Sequence, residues 1–102
     1  MPALLSREDI DTALSALAGW SYDGEAIVKR ASVPADSQDG LVEAVGRVAD
    51  QMDHHPVVTR ESDSVSLRLW THSAGGVTAK DVELAARIDR ELSGAGTDDG
   101  TT

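Results

Sequence analysis

Residues 57–72, with the sequence VVTRESDSVSLRLWTH, decide the fold. In the second half of this stretch apolar and polar side chains alternate, with Val65, Leu67, Leu69 and Thr71 in one set and Ser66, Arg68, Trp70 and His72 in the other. A period of two is typical of a strand that is buried on one face. Val57 begins an earlier strand, and the polar residues 60–64 predict the turn between them. We therefore expect an antiparallel hairpin in which the numbers of paired residues sum to about 125–127.

An amphipathic helix is predicted directly before this hairpin. Its apolar residues recur at i, i+4, i+7 and i+11, as Leu41, Val45, Val48 and Met52. That spacing places them on one helical face. We expect the helix to begin near Ser37 and to end by His55, because Pro56 disfavours helical geometry in the residue before it.

The remaining elements follow from caps and turns. Ser6-x-x-Asp9 is a capping box that opens a first helix, with Gly19 closing it. Asp23-Gly24 lies between two strand-like runs and predicts a second hairpin, whose last strand ends at Pro34. Thr78-x-x-Asp81 is the capping box of a third helix. Gly75 and Gly76 precede that helix and free the chain to turn into it.

The predicted element order is α-β-β-α-β-β-α. Two hairpins indicate a four-stranded antiparallel sheet, and three amphipathic helices indicate that one face of it is covered. We therefore predict an α+β fold with three helices on one face. Residues 1–92 form its single domain, and the small, polar and acidic residues 93–102 are expected to be a disordered tail.

Composition excludes several classes of protein. A chain of 102 residues is long enough for one domain. With 9 basic and 18 acidic residues the net charge is −9. This argues against nucleic-acid binding by phosphate neutralisation and against docking on anionic lipid. The absence of cysteine excludes disulfides, thiol chemistry and cysteine metal sites.

The location and the assembly are also predicted from composition. The first residues lack the pattern of a signal peptide, and no apolar run is long enough to span a bilayer. We therefore expect a cytoplasmic protein. The chain has no Phe and few other large side chains for its core. We therefore expect self-association, as a homodimer or homotetramer.

The three histidines form the candidate site. His54 and His55 precede one strand of the hairpin and His72 follows its partner, so antiparallel pairing brings them to the same end. Asp50 lies four residues before His54, where a helical carboxylate can orient the imidazole or simply face water. Asp53 is assigned to solvation of the helix end.

The spacing by itself leaves three kinds of chemistry open. Imidazole titrates near neutrality, so two histidines can supply an acid and a base together, which suits elimination of water. The same three side chains, completed by Asp50, can bind a metal ion. The third possibility is that the histidines are polar surface residues with no chemical role.

Two further residues have more than one interpretation. By alternation Trp70 shares a face with His72, and either it contacts a ligand or it packs on the sheet or against another copy. We keep Trp70 among the substrate-binding candidates. For Asp81 the capping box is a sufficient structural explanation.

The motifs around the histidines resemble one family. Asp50-x3-His54-His55-Pro56 is followed by Thr71-His72 and then by Gly75-Gly76-Val77-Thr78-x-x-Asp81. This arrangement is similar to the pterin-4a-carbinolamine dehydratases, also called 4a-hydroxytetrahydrobiopterin dehydratases. The resemblance covers about residues 5–92.

The resemblance implies a four-stranded antiparallel sheet with helices on one face. It also implies dehydration of a 4a-hydroxytetrahydropterin to the quinonoid dihydropterin, in tetrahydrobiopterin recycling, without metal or organic cofactor. His54, His55 and His72 occupy the family's pterin-site positions. We favour His54 and His72 as the proton-transfer pair and His55, with Asp50 and Trp70, as pterin-binding residues.

Two alternatives to the enzyme are retained. Some members of the family bind a transcription factor and help it to dimerise, so a non-catalytic interaction module of the same fold is the first alternative. A three-histidine metal protein is the second. The expected partners are the pterin and further copies of the chain, with neither nucleic acid nor membrane.

Overall fold

The computed structural model describes residues 3–96 and confirms the predicted element order. Its helices are α1 (Arg7–Leu14), α2 (Ala35–Met52) and α3 (Ala79–Gly96). Its strands are β1 (Trp20–Tyr22), β2 (Ile27–Ser32), β3 (Val57–Arg60) and β4 (Ser64–Leu69). No helix within residues 3–96 has the length and apolar character needed to cross a membrane.

The four strands form one antiparallel sheet in the order β1-β2-β4-β3. In the second hairpin Val57 pairs with Arg68 and Arg60 pairs with Val65, so the residue numbers sum to 125, at the lower bound of the predicted range. The central contact joins β2 to β4, with Ile27 opposite Leu69. No local turn connects those two strands, because α2 and β3 lie between them in sequence.

The core lies between one face of the sheet and the three helices. Ile27, Leu67 and Leu69 point from the sheet into this layer and are buried. Each helix contributes apolar residues to the same cluster, namely Ile10 from α1, Leu41, Val45 and Val48 from α2, and Leu84, Ala85 and Ile88 from α3. The predicted α+β fold with helices on one face is therefore confirmed.

The helix boundaries differ from the predicted ones in three places. α1 ends at Leu14 because the chain tightens into turns, with the amide of Leu17 bonded to the carbonyl of Leu14. Leu17 is nevertheless buried, and Gly19, at φ +88°, directs the chain into β1. α2 starts at Ala35, two residues earlier than expected. α3 extends to Gly96 and so includes residues 93–96 of the expected tail, whereas residues 97–102 lie outside the described part of the chain.

The second and third helices place the histidines. α2 ends at Met52, two residues before His54, and α3 begins directly after Thr78. Between β4 and α3 the chain turns back on itself, with the amide of Thr71 bonded to the carbonyl of Gly76. Gly75 in this turn has φ +76°, which favours glycine. The C-terminal end of α2, the end of β4 and the first turn of α3 therefore meet at one end of the sheet.

Candidate active site

The end of α2 determines where the two adjacent histidines point. Asp53 is in the left-handed conformation, at φ 51° and ψ 46°. The amide of the next residue, His54, bonds back to the carbonyl of Ala49 at 3.0 Å, which is typical of a helix C-terminus that reverses direction. This reversal moves His54 away from the helical position i+4 of Asp50 and toward α3.

His54 forms a hydrogen bond with a buried carboxylate on α3. Its Nε2 atom lies 2.5 Å from Oδ1 of Asp81. The His54 side chain is 12% exposed and that of Asp81 is 0% exposed. An ionised carboxylate only accepts, so Nε2 carries the proton of this bond. In the neutral imidazole Nδ1 then holds the lone pair, and it is the nitrogen available to exchange a proton.

The second oxygen of Asp81 is bound by two threonines. Oδ2 accepts from the Thr71 hydroxyl at 2.8 Å and from the Thr78 amide at 2.9 Å. The Thr71 and Thr78 hydroxyls also lie 2.8 Å apart. Because Thr71 donates its single hydroxyl proton to Asp81, Thr78 is the donor to Thr71. With three protein donors around it, the buried carboxylate has the partners that a buried polar group requires.

His55 pairs with Asp50. Its Nε2 atom lies 2.7 Å from Oδ1 of Asp50, and both side chains are open to solvent, at 58% and 76% exposed. The i, i+4 spacing in the sequence instead makes Asp50 a possible partner of His54. The left-handed Asp53 explains the difference, because it turns His54 away and leaves His55 beside the last turn of α2.

His72 packs against an aromatic ring instead of a carboxylate. Its ring centroid lies 4.9 Å from that of Trp70, and the ring planes are inclined at 46°. His72 directly follows Thr71, which donates a hydrogen bond to Asp81. The backbone therefore links the position of His72 to the carboxylate that binds His54. Among residues 3–96 this is the one aromatic ring pair, and no two histidine rings are in contact with each other.

Each histidine therefore has a different environment at the same end of the fold. His54 is largely buried and bound to a carboxylate, His55 is exposed and bound to a carboxylate, and His72 is exposed and lies against Trp70. Different partners favour different roles, because a carboxylate fixes the tautomer and stabilises the charged imidazole. Such a set contains groups that can supply one proton and remove another.

Asp81 is a functional candidate for which the sequence pattern by itself favours a capping role. The capping contact is present, since its Oδ2 binds the Thr78 amide. Its other oxygen is free to bind His54, which the sequence spacing does not indicate, because the two residues are 27 positions apart. The available signal was its place in the motif that carries the family resemblance.

The metal-binding alternative gains no support from this geometry. Within residues 3–96 no group of three or more His, Cys, Asp or Glu side chains is arranged to hold a metal ion. The carboxylates of Asp50 and Asp81 each bind a different histidine. Asp50 therefore does not complete a set of ligands with all three imidazoles.

Comparisons with known proteins agree with the fold and identify a family. Residues 3–91 match the family model described as pterin 4 alpha carbinolamine dehydratase. A relative from Mycolicibacterium smegmatis is 39% identical over 93 residues, covering 89% of this chain and 98% of the relative. One from Nocardia farcinica is 42% identical over 89 residues, covering 84% and 92%. Both relatives are named, provisionally, as pterin-4-alpha-carbinolamine dehydratases.

A solved structure has the same fold. The crystal structure of a protein described as a transcriptional coactivator/pterin dehydratase from Brucella melitensis matches with a TM-score of 0.79 at 31% identity. The match covers 84% of this chain and 95% of that one. Because the family model and these relatives span nearly the whole folded chain, this protein belongs to the pterin 4 alpha carbinolamine dehydratase family.

Proposed function

We propose that this protein dehydrates a 4a-hydroxytetrahydropterin to the quinonoid dihydropterin by acid and base catalysis at its histidines. The observation that carries the proposal is the hydrogen bond of His54 to buried Asp81, which is itself held by Thr71 and Thr78. Membership of the family supports the pterin as the substrate. The buried carboxylate supports catalysis, because a module that only binds another protein has no need of an oriented imidazole inside it.

In the proposed reaction the two protons move in opposite directions. Nδ1 of His54 takes the proton from N5 of the pterin, and the N5 electron pair forms the double bond to C4a. The bond from C4a to oxygen breaks, and the leaving hydroxyl takes a proton from His72 and departs as water. His54 ends protonated and His72 neutral, and exchange with solvent returns both to their starting forms.

His54 is assigned as the base because of its partner. When Nδ1 accepts a proton the ring becomes positively charged, and Asp81 is in place to stabilise that charge. His72 is exposed and has no carboxylate partner among the side-chain contacts of residues 3–96, so it exchanges protons with solvent readily. His72 is therefore assigned as the acid.

His55 and Asp50 are assigned to binding of the pterin. His54 bonds Asp81 on α3 and His55 bonds Asp50 on α2, so the two imidazoles do not act from the same direction. The exposed pair with Asp50 presents both a hydrogen-bond donor and an acceptor at the site. Trp70 belongs to the same region through its contact with His72.

The context of the reaction follows from the same proposal. We place the protein in tetrahydrobiopterin recycling in the cytoplasm, working without a metal or organic cofactor and without nucleic acid. We also propose a homodimer or homotetramer. β1 and β3 are the edge strands of the sheet, and Val57 on β3 is 46% exposed. An unpaired edge with an exposed apolar side chain favours association with a second copy.

The interaction module remains the second candidate function. The printed description of the Brucella melitensis protein names a transcriptional coactivator as well as a pterin dehydratase. The two functions share one fold, so the fold does not separate them. The histidine and carboxylate arrangement favours the enzyme.

One assay tests the proposed function. A 4a-hydroxytetrahydropterin is generated in situ, the dihydropterin is followed by ultraviolet absorbance, and the uncatalysed rate is subtracted. We expect catalysis by the wild type and a loss of about 10²–10⁴-fold in kcat for His54→Gln. Arg87→Gln is the matched control, since Arg87 bonds Glu83 on the exposed side of α3. A wild-type rate equal to the uncatalysed rate would reject the enzyme and favour the interaction module.

A further inference from the structure

A stack of three side chains lies on the face of the sheet that the helices leave open. Its members are Arg68, Trp70 and His72. Arg68 is on β4 and Trp70 directly follows its last residue, so continued alternation places both side chains on the same side. The Arg68 guanidinium carbon lies 4.9 Å from the centre of the Trp70 ring. The Trp70 ring in turn lies 4.9 Å from the His72 ring. Trp70 is therefore in contact with a cation and with the imidazole at once.

The far end of this stack is anchored in the turn between β1 and β2. Two nitrogens of Arg68 donate to Oδ2 of Asp23, at 3.1 and 3.2 Å, and one also donates to Glu25 at 2.9 Å. Asp23 is itself fixed, since its Oδ1 accepts from the amides of Glu25 and Ala26 at 2.9 and 2.8 Å. The guanidinium is thus held against Trp70 by groups that belong to a different hairpin from that of His72.

The charges of the anchor persist across the neutral range. Backbone hydrogen bonds from Ala26 and Glu25, to which Arg68 adds, lower the pKa of Asp23 below its ordinary value. Hydrogen bonds to Glu25 and Asp23 raise the pKa of the Arg68 guanidinium. Asp23 and Arg68 are therefore both ionised across the neutral range, so the anchor keeps its charges there.

His72 has little else to hold its ring. It is exposed, it begins the turn at residues 72–75, and no side-chain hydrogen bond within residues 3–96 involves its ring. A proton donor must lie within hydrogen-bond reach of the group that it protonates. A displacement of about 1 Å can cost on the order of a hundredfold in rate. Contact with Trp70 is therefore the interaction that restricts the orientation of this imidazole.

We propose that Trp70 and Arg68 are positioning residues for His72, with Asp23 and Glu25 as their anchor. The inference rests on the proposed function, in which His72 donates the proton to the leaving hydroxyl. It also assigns Trp70 a role other than stacking on the pterin, because Arg68 covers its ring and His72 lies against it. The first hairpin thereby contributes to a site whose histidines all lie outside it.

The test combines a spectroscopic signal with kinetics. The imidazole C–H signals of His72, assigned with His72→Gln, are shifted by the ring current of the indole. Trp70→Leu removes that ring, and Arg68→Gln removes the cation that holds it. We expect both variants to move the His72 signals and to lower kcat by about ten- to a hundredfold, with KM for the pterin nearly unchanged. Arg68→Lys keeps the cation but loses the paired hydrogen bonds to Asp23 and Glu25. It should therefore change the His72 signals and kcat less than Arg68→Gln does.

Arg30→Gln is the matched control. Arg30 lies on the same open face, on β2, and bonds to Ser64 and Glu61 away from the stack. This variant should leave both the His72 signals and kcat as in the wild type. Unchanged His72 signals in Arg68→Gln would overturn the proposal. So would a rise in KM without a fall in kcat for Trp70→Leu, because Trp70 would then act on the bound pterin.

The spectroscopic arm is independent of the proposed function. If the wild type fails to dehydrate the pterin, the proposed function fails. Movement of the His72 signals in Arg68→Gln and Trp70→Leu still supports the positioning, and its absence still rejects it. If His72→Gln keeps the wild-type kcat, His72 is not the proton donor, and the kinetic part of the inference is rejected with it.

Discussion

Nε2 of His54 and Oδ1 of Asp81 lie 2.5 Å apart, and this hydrogen bond joins the end of α2 to the first turn of α3. The two residues come from segments that no turn or motif connects directly. The carboxylate is fully buried and the imidazole is not. This is the arrangement in which a carboxylate orients an imidazole and stabilises its charged form without exchanging protons with solvent itself.

The first prediction concerns Asp81. In Asp81→Asn the amide oxygen can still accept from Thr71 and Thr78, but the amide nitrogen becomes a donor facing Nε2 of His54. The imidazole must then adopt the other tautomer. We expect the fold to be retained and kcat to fall by up to about 10⁴-fold, as when a catalytic histidine loses its carboxylate.

A carboxylate on the same helix is the control for Asp81. Asp89 accepts from Trp20 Nε1 and from Lys29, both at 3.0 Å, and has no contact with the histidines. Asp89→Asn should lower stability and leave kcat unchanged.

The double variant His54→Gln, Asp81→Asn should lose little more kcat than the worse single variant, since the two residues act as a unit. Fully multiplicative losses would contradict that coupling.

The second prediction concerns Thr71. Thr71→Val keeps the size of the side chain but removes the hydroxyl that donates to Asp81 and accepts from Thr78. Buried polar groups left without a partner cost about 1–3 kcal/mol each. We expect the free energy of unfolding, measured in urea, to fall by about that amount. Thr59→Val, on the exposed side of β3, should change it little, and an equal loss in both variants would contradict the network.

The third prediction concerns His55 and Asp50. Exposed ion pairs contribute about 0–1 kcal/mol to stability, so His55→Gln and Asp50→Asn should unfold nearly as the wild type does. If the pair binds the pterin, both variants should raise KM more than they lower kcat. Steady-state kinetics with the in situ substrate measures this. A large loss of kcat with unchanged KM in His55→Gln would transfer the proton-transfer role to His55.

The fourth prediction is a pH dependence of stability. Because the pKa of Asp23 is lower in the folded protein than its ordinary value, the carboxylate form favours folding. This contribution is fully present above the unfolded value of about 3.9 and is lost as the pH falls through the lower folded value. Asp23→Asn should therefore be less stable than the wild type near pH 6, and the difference should shrink as the pH is lowered toward 3. Urea unfolding across that range measures it, and a difference that grows on acidification would show that another group dominates.

The fifth prediction concerns metal. Protonated imidazole is a sufficient acid for a leaving hydroxyl, so we expect full activity in excess chelator. The assay is run before and after extended chelation, with the uncatalysed rate subtracted. Activity that is lost on chelation and restored by a divalent ion would show that the protein depends on a metal.

The local elements could be predicted because each rests on neighbouring residues. Alternation around Val65, Leu67 and Leu69 fixed the buried face of β4, and the turn after Arg60 fixed the register of the second hairpin. The periodicity from Leu41 to Met52 determined α2, and Pro56 placed its end. The helix period, the strand period and the turn preferences all act over a few residues, so a short window of sequence contains them.

The site itself depended on tertiary structure. The pairing of β2 with β4 was not predicted, because no turn connects them and only the shared core brings Ile27 opposite Leu69. The partners of the histidines depended on one backbone conformation at Asp53, which sends His54 to Asp81 and leaves Asp50 to His55. The sequence by itself therefore determined the elements and the common end of the histidines. The tertiary structure decided which carboxylate each imidazole meets, because those distances depend on how the C-terminal end of α2 packs beside α3.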